Sequence, residues 1–147
     1  MGSRRYVYGP VPSRRLGFSL GVDIIPFKTC TLDCTYCQLG STRKTVCRRG
    51  SWFPPEEILA QVKEAVESEQ KIDVITFSGS GDPTLNRYIG RIIRAIKKMT
   101  RIPVVVLTNG TLLTRKEVRR DLAAADIVVP SLDAVPGNLF RRVNRPN

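Results

Sequence analysis

The sequence predicts an α/β domain built around a parallel β-sheet. Strand-like and helix-like segments alternate along the chain, which implies parallel strands joined by right-handed helical crossovers. The segment "IPVVVLTNG" at residues 102–110 is a continuous apolar run, as expected of a strand buried on both faces of such a sheet. Each strand-like segment also runs into cysteine, glycine or small polar residues. We therefore expect the chemistry to gather at the carboxyl ends of the strands.

The first predicted strand, "GVDII" at residues 21–25, ends just before a group of cysteines. A helix is predicted over residues 55–69. A proline pair stands at its start, two glutamates suit the positive N-terminal end of the helix dipole, and its apolar residues recur on one face. The second strand is predicted at residues 72–77, where "IDVITF" leads into a turn of glycine and serine.

The remaining segments continue the same alternation. A second helix is predicted over residues 86–100, with isoleucines along one stripe and basic side chains on the other. The third strand is the apolar run described above. The next helix, over residues 114–125, begins with Thr114 and Glu117 at the spacing of a capping box. A fourth strand and a last helix are predicted within residues 126–134 and 136–143.

Length and composition limit the broad class of the protein. The chain has 147 residues, of which 41% are apolar and 25% charged, so we expect a single domain over residues 1–147 with a hydrophobic core. Its apolar runs are shorter than the roughly 18 residues that a membrane span requires. The N-terminal stretch lacks the apolar segment of a secretory signal. We therefore expect a cytoplasmic protein with no membrane contact.

The charge balance concerns partners rather than fold. Lysine and arginine number 24 and aspartate and glutamate 13, which gives a net charge of +11. Nucleic acid is the obvious polyanionic partner. A solvated basic surface is the other interpretation, because the basic residues are spread along the chain without the interleaved aromatics of single-strand binding platforms. Both interpretations stay open.

The segment "CTLDCTYCQLG", residues 30–40, places Cys30, Cys34 and Cys37 at the spacing C-x3-C-x2-C. A structural disulfide does not suit a reducing compartment. A C-x-x-C redox pair would leave Cys30 unexplained. A closed zinc site would need Cys47 as its fourth ligand, because the chain has no histidine.

An iron–sulfur cluster is the third alternative, since its irons are usually held by cysteine thiolates. Three thiolates from one short loop would hold three irons of a cubane and leave the fourth iron open to an exogenous ligand. An open coordination position is typical of a catalytic metal, whereas structural sites are closed. Cys47 is then either a spare thiol or a ligand of an auxiliary cluster.

The same segment resembles the cluster loop of the radical S-adenosylmethionine (SAM) enzymes, C-x3-C-x-aromatic-C, with Tyr36 at the aromatic position. The resemblance implies a [4Fe–4S] cluster on Cys30, Cys34 and Cys37. It also implies that SAM chelates the open iron and is reductively cleaved to a 5′-deoxyadenosyl radical, with the backbone around Tyr36 near the adenine. A reductant protein, flavodoxin or ferredoxin, is implied as a partner, and no general base or nucleophile is required.

The other strand ends also match this family. "SGSGDP" after the second strand resembles the glycine-rich segment that hydrogen-bonds the SAM amino group. "TNG" and "SLD" after the next two strands lie where the family places polar contacts to SAM or substrate. An ordinary strand-to-helix turn, with Asp82 or Thr84 near a helix N-terminus, is the alternative for "SGSGDP". The SAM-contacting residues that the resemblance implies are Tyr36, Gly79, Ser80, Gly81, Asp82, Thr108, Asn109, Ser131 and Asp133.

The N-terminal "YGPVPSRRLGFSLGVDIIPFKTC" and the "CQLG" that follows resemble one group within the family. That group is described as iron–sulfur oxidoreductases and is placed with the enzymes that build the wyosine base of tRNA. The resemblance implies a tRNA or other nucleic-acid substrate, although the wyosine enzymes carry further cysteines for a second cluster and this chain has no convincing set of them. A second class of function stays open: a non-catalytic iron–sulfur or zinc protein that binds RNA through its basic surface.

The family core is a partial (βα) barrel with more units than the roughly four that this sequence predicts. We therefore expect a shortened partial barrel of the radical SAM type that retains the SAM-facing half. Its last strand would be an open edge with unpaired backbone groups. We expect the chain to form a homo-oligomer through that edge.

Overall fold

The structure, a computed structural model, describes residues 4–42 and 44–146. A single larger sheet has the four parallel strands that the sequence predicts and one antiparallel strand at its edge. The predicted α/β architecture with a mostly parallel sheet is therefore confirmed. The strands of the described residues are β1 (Val7–Ser13), β2 (Gly17–Val22), β3 (Thr29–Cys30), β4 (Lys44–Thr45), β5 (Val74–Phe77), β6 (Val104–Thr108) and β7 (Ile127–Pro130).

The larger sheet has the order β1-β2-β5-β6-β7, and β3 and β4 form a separate parallel pair. The register places Val22 beside Phe77, Phe77 beside Val106, and Val106 beside Val128. Because these partners lie side by side, the segments that follow the strands start at the same level. The register thus gathers the strand ends along one rim of the sheet.

Four helices connect or follow the strands in the described residues: α1 (Pro55–Glu67), α2 (Ile89–Met99), α3 (Lys116–Leu122) and α4 (Gly137–Val143). Their positions agree with the predicted segments. α1 begins with a proline in its first turn, followed by two glutamates, as the sequence predicts. The predicted capping box is wrong, because α3 begins after Arg115, whose side chain makes no capping hydrogen bond.

The core lies between the helices and one face of the sheet. Ile92, Ile93 and Ile96 of α2 are fully buried in one cluster with Val62 of α1 and Phe77 of β5. Full burial of each such side chain contributes roughly 1.5–3 kcal/mol relative to exposure. This packing holds the strands, and hence their carboxyl ends, in fixed positions.

The N-terminal part of the chain differs from the prediction. Residues 7–13, for which the sequence predicts no strand, form β1, which pairs antiparallel with β2. Proline is tolerated in a strand at the edge of a sheet, where a missing N–H donor need not break a ladder. The predicted first strand is also displaced: β2 ends at Val22, and the buried Ile24 and Ile25 lie in the connection beyond it.

β7 forms the opposite edge of the sheet. Within residues 4–42 and 44–146, no strand pairs with it on the side away from β6. Its residues Ile127 and Val129 are 44% and 38% exposed.

Each helix within residues 4–42 and 44–146 is too short or too polar to cross a lipid bilayer.

Candidate functional site

A cavity of about 250 Å³ lies at the carboxyl ends of the parallel strands. The cysteine loop lines one side and the turn after β5 lines another, while the ends of β6 and β7 contribute the rest. The structure thereby brings together most of the predicted site residues. Those that line the cavity are Cys30, Cys34, Cys37, Gly79, Ser80, Gly81, Asp82, Thr108, Asn109 and Ser131.

The three cysteines of the loop are free and half-buried. Cys30 ends β3, and its carbonyl accepts a hydrogen bond from the Val46 N–H at 2.8 Å. A turn in which the Cys37 N–H donates to the Cys34 carbonyl at 3.1 Å holds the other two close in space. Burial raises the pKa of the Cys30 thiol above its usual value, and two backbone N–H donors partly oppose that shift.

The glycine-rich turn is fastened to the base of the cysteine loop. The Ser80 N–H donates to the Asp23 carboxylate at 3.0 Å, and the Ser80 carbonyl accepts from the Lys28 N–H at 2.8 Å. Gly81 forms a parallel bridge with Thr29. A Cβ at position 81 would lie 1.7 Å from the Thr29 carbonyl oxygen, so this close approach requires glycine.

Asp82 is buried, and its carboxylate joins the turn to the end of β6. It accepts hydrogen bonds from the Thr84 N–H at 2.9 Å, the Thr108 hydroxyl at 2.8 Å and the Asn109 N–H at 2.7 Å. Asp82 is also the N-cap of a short 3₁₀ turn, Pro83–Leu85, which agrees with the strand-to-helix turn given above as the alternative for "SGSGDP". The protein's own donors occupy this carboxylate, which therefore positions two of the segments that line the cavity.

Asn109 has a fixed orientation beside Cys30. Its Oδ1 accepts from the Thr111 N–H at 3.0 Å, and its Nδ2 donates to the Thr31 hydroxyl at 2.8 Å. The same Nδ2 lies 3.4 Å from the Cys30 sulfur. Because both ends of the amide are assigned by these partners, an N–H group points toward the sulfur.

Tyr36 and Asp133 contact each other at the outer end of the cysteine loop and are absent from the lining of the cavity. The Tyr36 hydroxyl, on a side chain that is 55% exposed, donates to the Asp133 carboxylate. Desolvation raises the pKa of Tyr36, and its hydrogen bond to the Asp133 carboxylate adds to that effect. The predicted contacts of Tyr36 and Asp133 with SAM stay predictions.

Sequence reasoning did not identify Asp23, Lys28 and Asn144, which support the site. Asp23 follows β2 at its carboxyl end, the same signal that identified the other strand ends. Lys28 lines the cavity and precedes the cysteines by two positions. Asn144 follows α4 and donates to the Cys34 sulfur at 3.3 Å across 110 positions of sequence, which no local pattern could indicate.

The cysteines are not arranged around a single metal ion. Cys47 is exposed and does not line the cavity. Across the described parts of the chain, no three cysteine, aspartate or glutamate side chains converge on one ion position. In this arrangement Cys47 does not join the other three cysteines, as the four-cysteine zinc site would require. Ligands that bind different irons of a cluster do not need to converge on one point.

Comparison with protein families gives a match to the sequence model of the radical SAM superfamily over residues 24–147. The matched region contains the cysteine loop, all four helices and every strand except β1 and β2. This superfamily typically uses a [4Fe–4S] cluster and SAM.

Three relatives show how far the similarity extends. The chain is 48% identical to a protein named GTPase Obg from Brachyspira hyodysenteriae, over 96% of this chain and 21% of that protein. It is 39% identical to a UPF0026 protein of Methanocaldococcus jannaschii, over 95% of this chain and 44% of that one. A probable GTP 3′,8-cyclase of Saccharolobus islandicus is 27% identical over 78% of this chain and 35% of that protein. The chain thus spans less than half the length of each of these relatives.

Proposed function

The chain belongs to the radical SAM superfamily, and from this membership we propose that it is an iron–sulfur enzyme that binds a [4Fe–4S] cluster and SAM at the rim of its parallel sheet. The observation that carries the proposal is the cavity in which Cys30, Cys34 and Cys37 face the glycine-rich turn after β5. Three cysteines and an adjacent turn of small residues are the ligand set and the open space that such a pair of cofactors requires.

The donor set fits a cluster with one open iron. The three thiols belong to one short loop, they are half-buried, and they share a cavity with backbone and hydroxyl groups. A fourth cysteine, Cys47, does not line that cavity. When bound, the cluster would supply the electron that cleaves SAM to a 5′-deoxyadenosyl radical, which is the chemistry of this superfamily.

We assign the other residues to binding and orientation. Gly79, Ser80 and Gly81 offer backbone groups and one hydroxyl beside the cysteines, and they would receive the amino end of SAM. Asp82 acts by positioning this turn against Thr108 and Asn109, because its carboxylate is already occupied by protein donors. The polar ends of β6 and β7 would face SAM or the substrate.

Nucleic acid, such as tRNA, is the substrate class that we propose. The net charge of +11 supports it, because a basic surface attracts polyanions and steers them toward the site. A flavodoxin or ferredoxin would supply the electron that reduces the cluster. Because tRNA and these electron carriers are found in the cytoplasm, we propose that this protein is cytoplasmic as well.

The architecture suggests a further contact. We propose that the sheet is one side of a partial barrel, and that β7 pairs with a second copy of the chain. The exposed Ile127 and Val129 on this edge support the proposal, because an apolar edge strand is a ready template for pairing.

Anaerobic reconstitution with iron and sulfide tests the enzyme proposal. We expect a brown protein that contains a [4Fe–4S] cluster, changes its visible spectrum when SAM is added, and releases 5′-deoxyadenosine under dithionite. Colourless protein that retains only zinc would contradict the proposal and would favour a non-catalytic metal-binding function. RNA binding that weakens steeply with salt is expected for a nucleic-acid substrate, whereas binding indifferent to salt would contradict that part.

A further inference from the structure

Each of the three cysteine sulfurs has one N–H donor from a residue outside the segment 30–37. Asn109 at the end of β6 faces Cys30 with Nδ2 at 3.4 Å from the sulfur. Asn144 at the end of α4 faces Cys34 with Nδ2 at 3.3 Å. The Lys28 Nζ lies 4.0 Å from the Cys37 sulfur. Separate parts of the fold thus provide one donor for each sulfur.

Lys28 is unusual because it is buried. Its side chain is only 6% exposed, and its backbone adopts a left-handed conformation with φ of 62°. In the described part of the chain, its Nζ contacts the Gly40 carbonyl and the Cys37 sulfur, and no carboxylate lies within ion-pair distance. Burial of a cation without an anionic partner is costly. A thiolate bound to iron would provide that partner.

Asn144 is held in place from several directions. It is 2% exposed, its Nδ2 donates to the Asp133 carboxylate at 2.8 Å, and its carbonyl accepts from the Asp33 N–H at 3.1 Å. A carboxylate only accepts hydrogen bonds, so the NH₂ end of the amide faces Asp133 and Cys34. Its Oδ1 is buried and finds no donor among the described residues. The side-chain hydrogen bonds of Asn144 among these residues are therefore made through its NH₂ end.

The segment that carries Asn144 also clamps the cysteine loop. The Thr35 N–H donates to the Val143 carbonyl at 2.9 Å, and Leu32 forms an antiparallel bridge with Pro146. The end of α4 thus contacts the loop through backbone and side chain together. This contact fixes the distance between the Asn144 amide and the Cys34 sulfur.

We propose that Lys28, Asn109 and Asn144 donate hydrogen bonds to the cysteine sulfurs that bind the cluster, and that these bonds raise its reduction potential. The inference rests on the proposed function. Reduction by one electron from dithionite adds negative charge that spreads onto the cysteine sulfurs, and N–H donors or a buried cation stabilise that charge. The three residues act through the cysteines and are positioning residues. Lys28 has the strongest effect, because it carries a full charge in a region of low dielectric constant.

The test is a redox titration of the reconstituted chain monitored by electron paramagnetic resonance. Lys28→Met, Asn109→Leu and Asn144→Leu each remove one donor and are expected to shift the potential to more negative values, with the largest shift for Lys28→Met. Lys28→Arg keeps the charge and is expected to remain near the wild-type potential. Asn138→Leu on the exposed face of α4 and Lys98→Met at the exposed end of α2 are matched controls and are expected to cause no shift.

The outcomes separate this inference from the proposed function. Wild-type chain that takes up no cluster contradicts both. A second outcome is that the wild-type chain binds a cluster and the variants bind the same amount of iron at an unchanged potential. That result would contradict the inference alone, because the cluster site itself would still be formed. If an asparagine variant fails to fold by circular dichroism, the comparison of Lys28→Met with Lys28→Arg still decides the matter. Equal potentials in those two variants would refute the role of the buried charge.

Discussion

The carboxylate of Asp82 accepts a hydrogen bond from the backbone N–H of Asn109 at 2.7 Å. This bond joins the turn after β5 to the end of β6, and the Thr108 hydroxyl adds a second link at 2.8 Å. Two segments that line the same cavity therefore depend on one buried carboxylate. Asn109 in turn contacts Cys30, so the position of Asp82 bears on the cysteine loop as well.

Replacing Asp82 by alanine is expected to destabilise the fold and to disturb the site. The change leaves buried N–H and hydroxyl donors without an acceptor, which we expect to cost roughly 3 kcal/mol in the free energy of unfolding. Urea denaturation monitored by circular dichroism measures this cost. Glu69→Ala, which removes an exposed carboxylate, is the control and is expected to change stability little. Equal stability of the two variants would show that the Asp82 contacts contribute nothing.

Glycine at position 81 is expected to be essential for the junction between the turn and the cysteine loop. Gly81→Ala would place a Cβ 1.7 Å from the Thr29 carbonyl oxygen, so the backbone must move. We expect a loss of about 2 kcal/mol or more in stability and a weaker spectral response to SAM. Gly137→Ala is the matched control, since its Cβ would meet only the Arg141 side chain at 3.7 Å. Similar SAM titrations for both variants would contradict the assigned role of the turn.

The four cysteines are expected to fall into two groups. Each of the substitutions Cys30→Ser, Cys34→Ser and Cys37→Ser removes a thiolate ligand. Each should abolish or greatly reduce cluster uptake. Cys47→Ser should leave uptake unchanged, because Cys47 is exposed and outside the cavity lining. Iron and sulfide per chain after anaerobic reconstitution are the readout. Loss of iron in Cys47→Ser, with retention in Cys34→Ser, would reverse the assignment.

The exposed edge at β7 is expected to govern self-association. Ile127→Lys places a charge on this edge and should shift the chain toward the monomer, because inward or edge charges oppose strand pairing. Light scattering coupled to size-exclusion chromatography measures the mass. Val11→Lys on β1 at the other edge is the control, since Val11 is similarly exposed at 42%. A wild-type chain that is monomeric at high concentration would rule out pairing through β7.

The sequence predicted the parallel strands because each is a short apolar run that ends in a recognisable turn. β6, with its run of valines, and β5, which leads into "SGSGDP", are clear examples. β1 was missed because its proline and glycine are unfavourable in most strands and are tolerated here only at a sheet edge. β2 ends at Val22 and not at Ile25 as predicted, because Ile24 and Ile25 are apolar residues buried by packing and not by strand pairing.

The candidate site could be predicted only where its residues belong to a local motif. The spacing of Cys30, Cys34 and Cys37 and the polar strand ends are local, and the structure brings them to one cavity. Lys28 and Asn144 could not be identified, because their importance arises from burial and from contacts across the fold. The hydrogen bonds that occupy the Asp82 carboxylate could likewise not be predicted, because its partners Thr108 and Asn109 lie 26 and 27 positions further along the chain.

The most direct test of the central claim is electron–nuclear double resonance of the reduced, reconstituted chain with SAM that carries a nitrogen isotope label in its amino group. If the three cysteines leave one iron open beside the glycine turn, the labelled nitrogen will couple magnetically to the cluster. The coupling should disappear in Cys34→Ser. A well-formed cluster with no such coupling at saturating SAM would contradict the account, because the open iron would then not be where SAM binds.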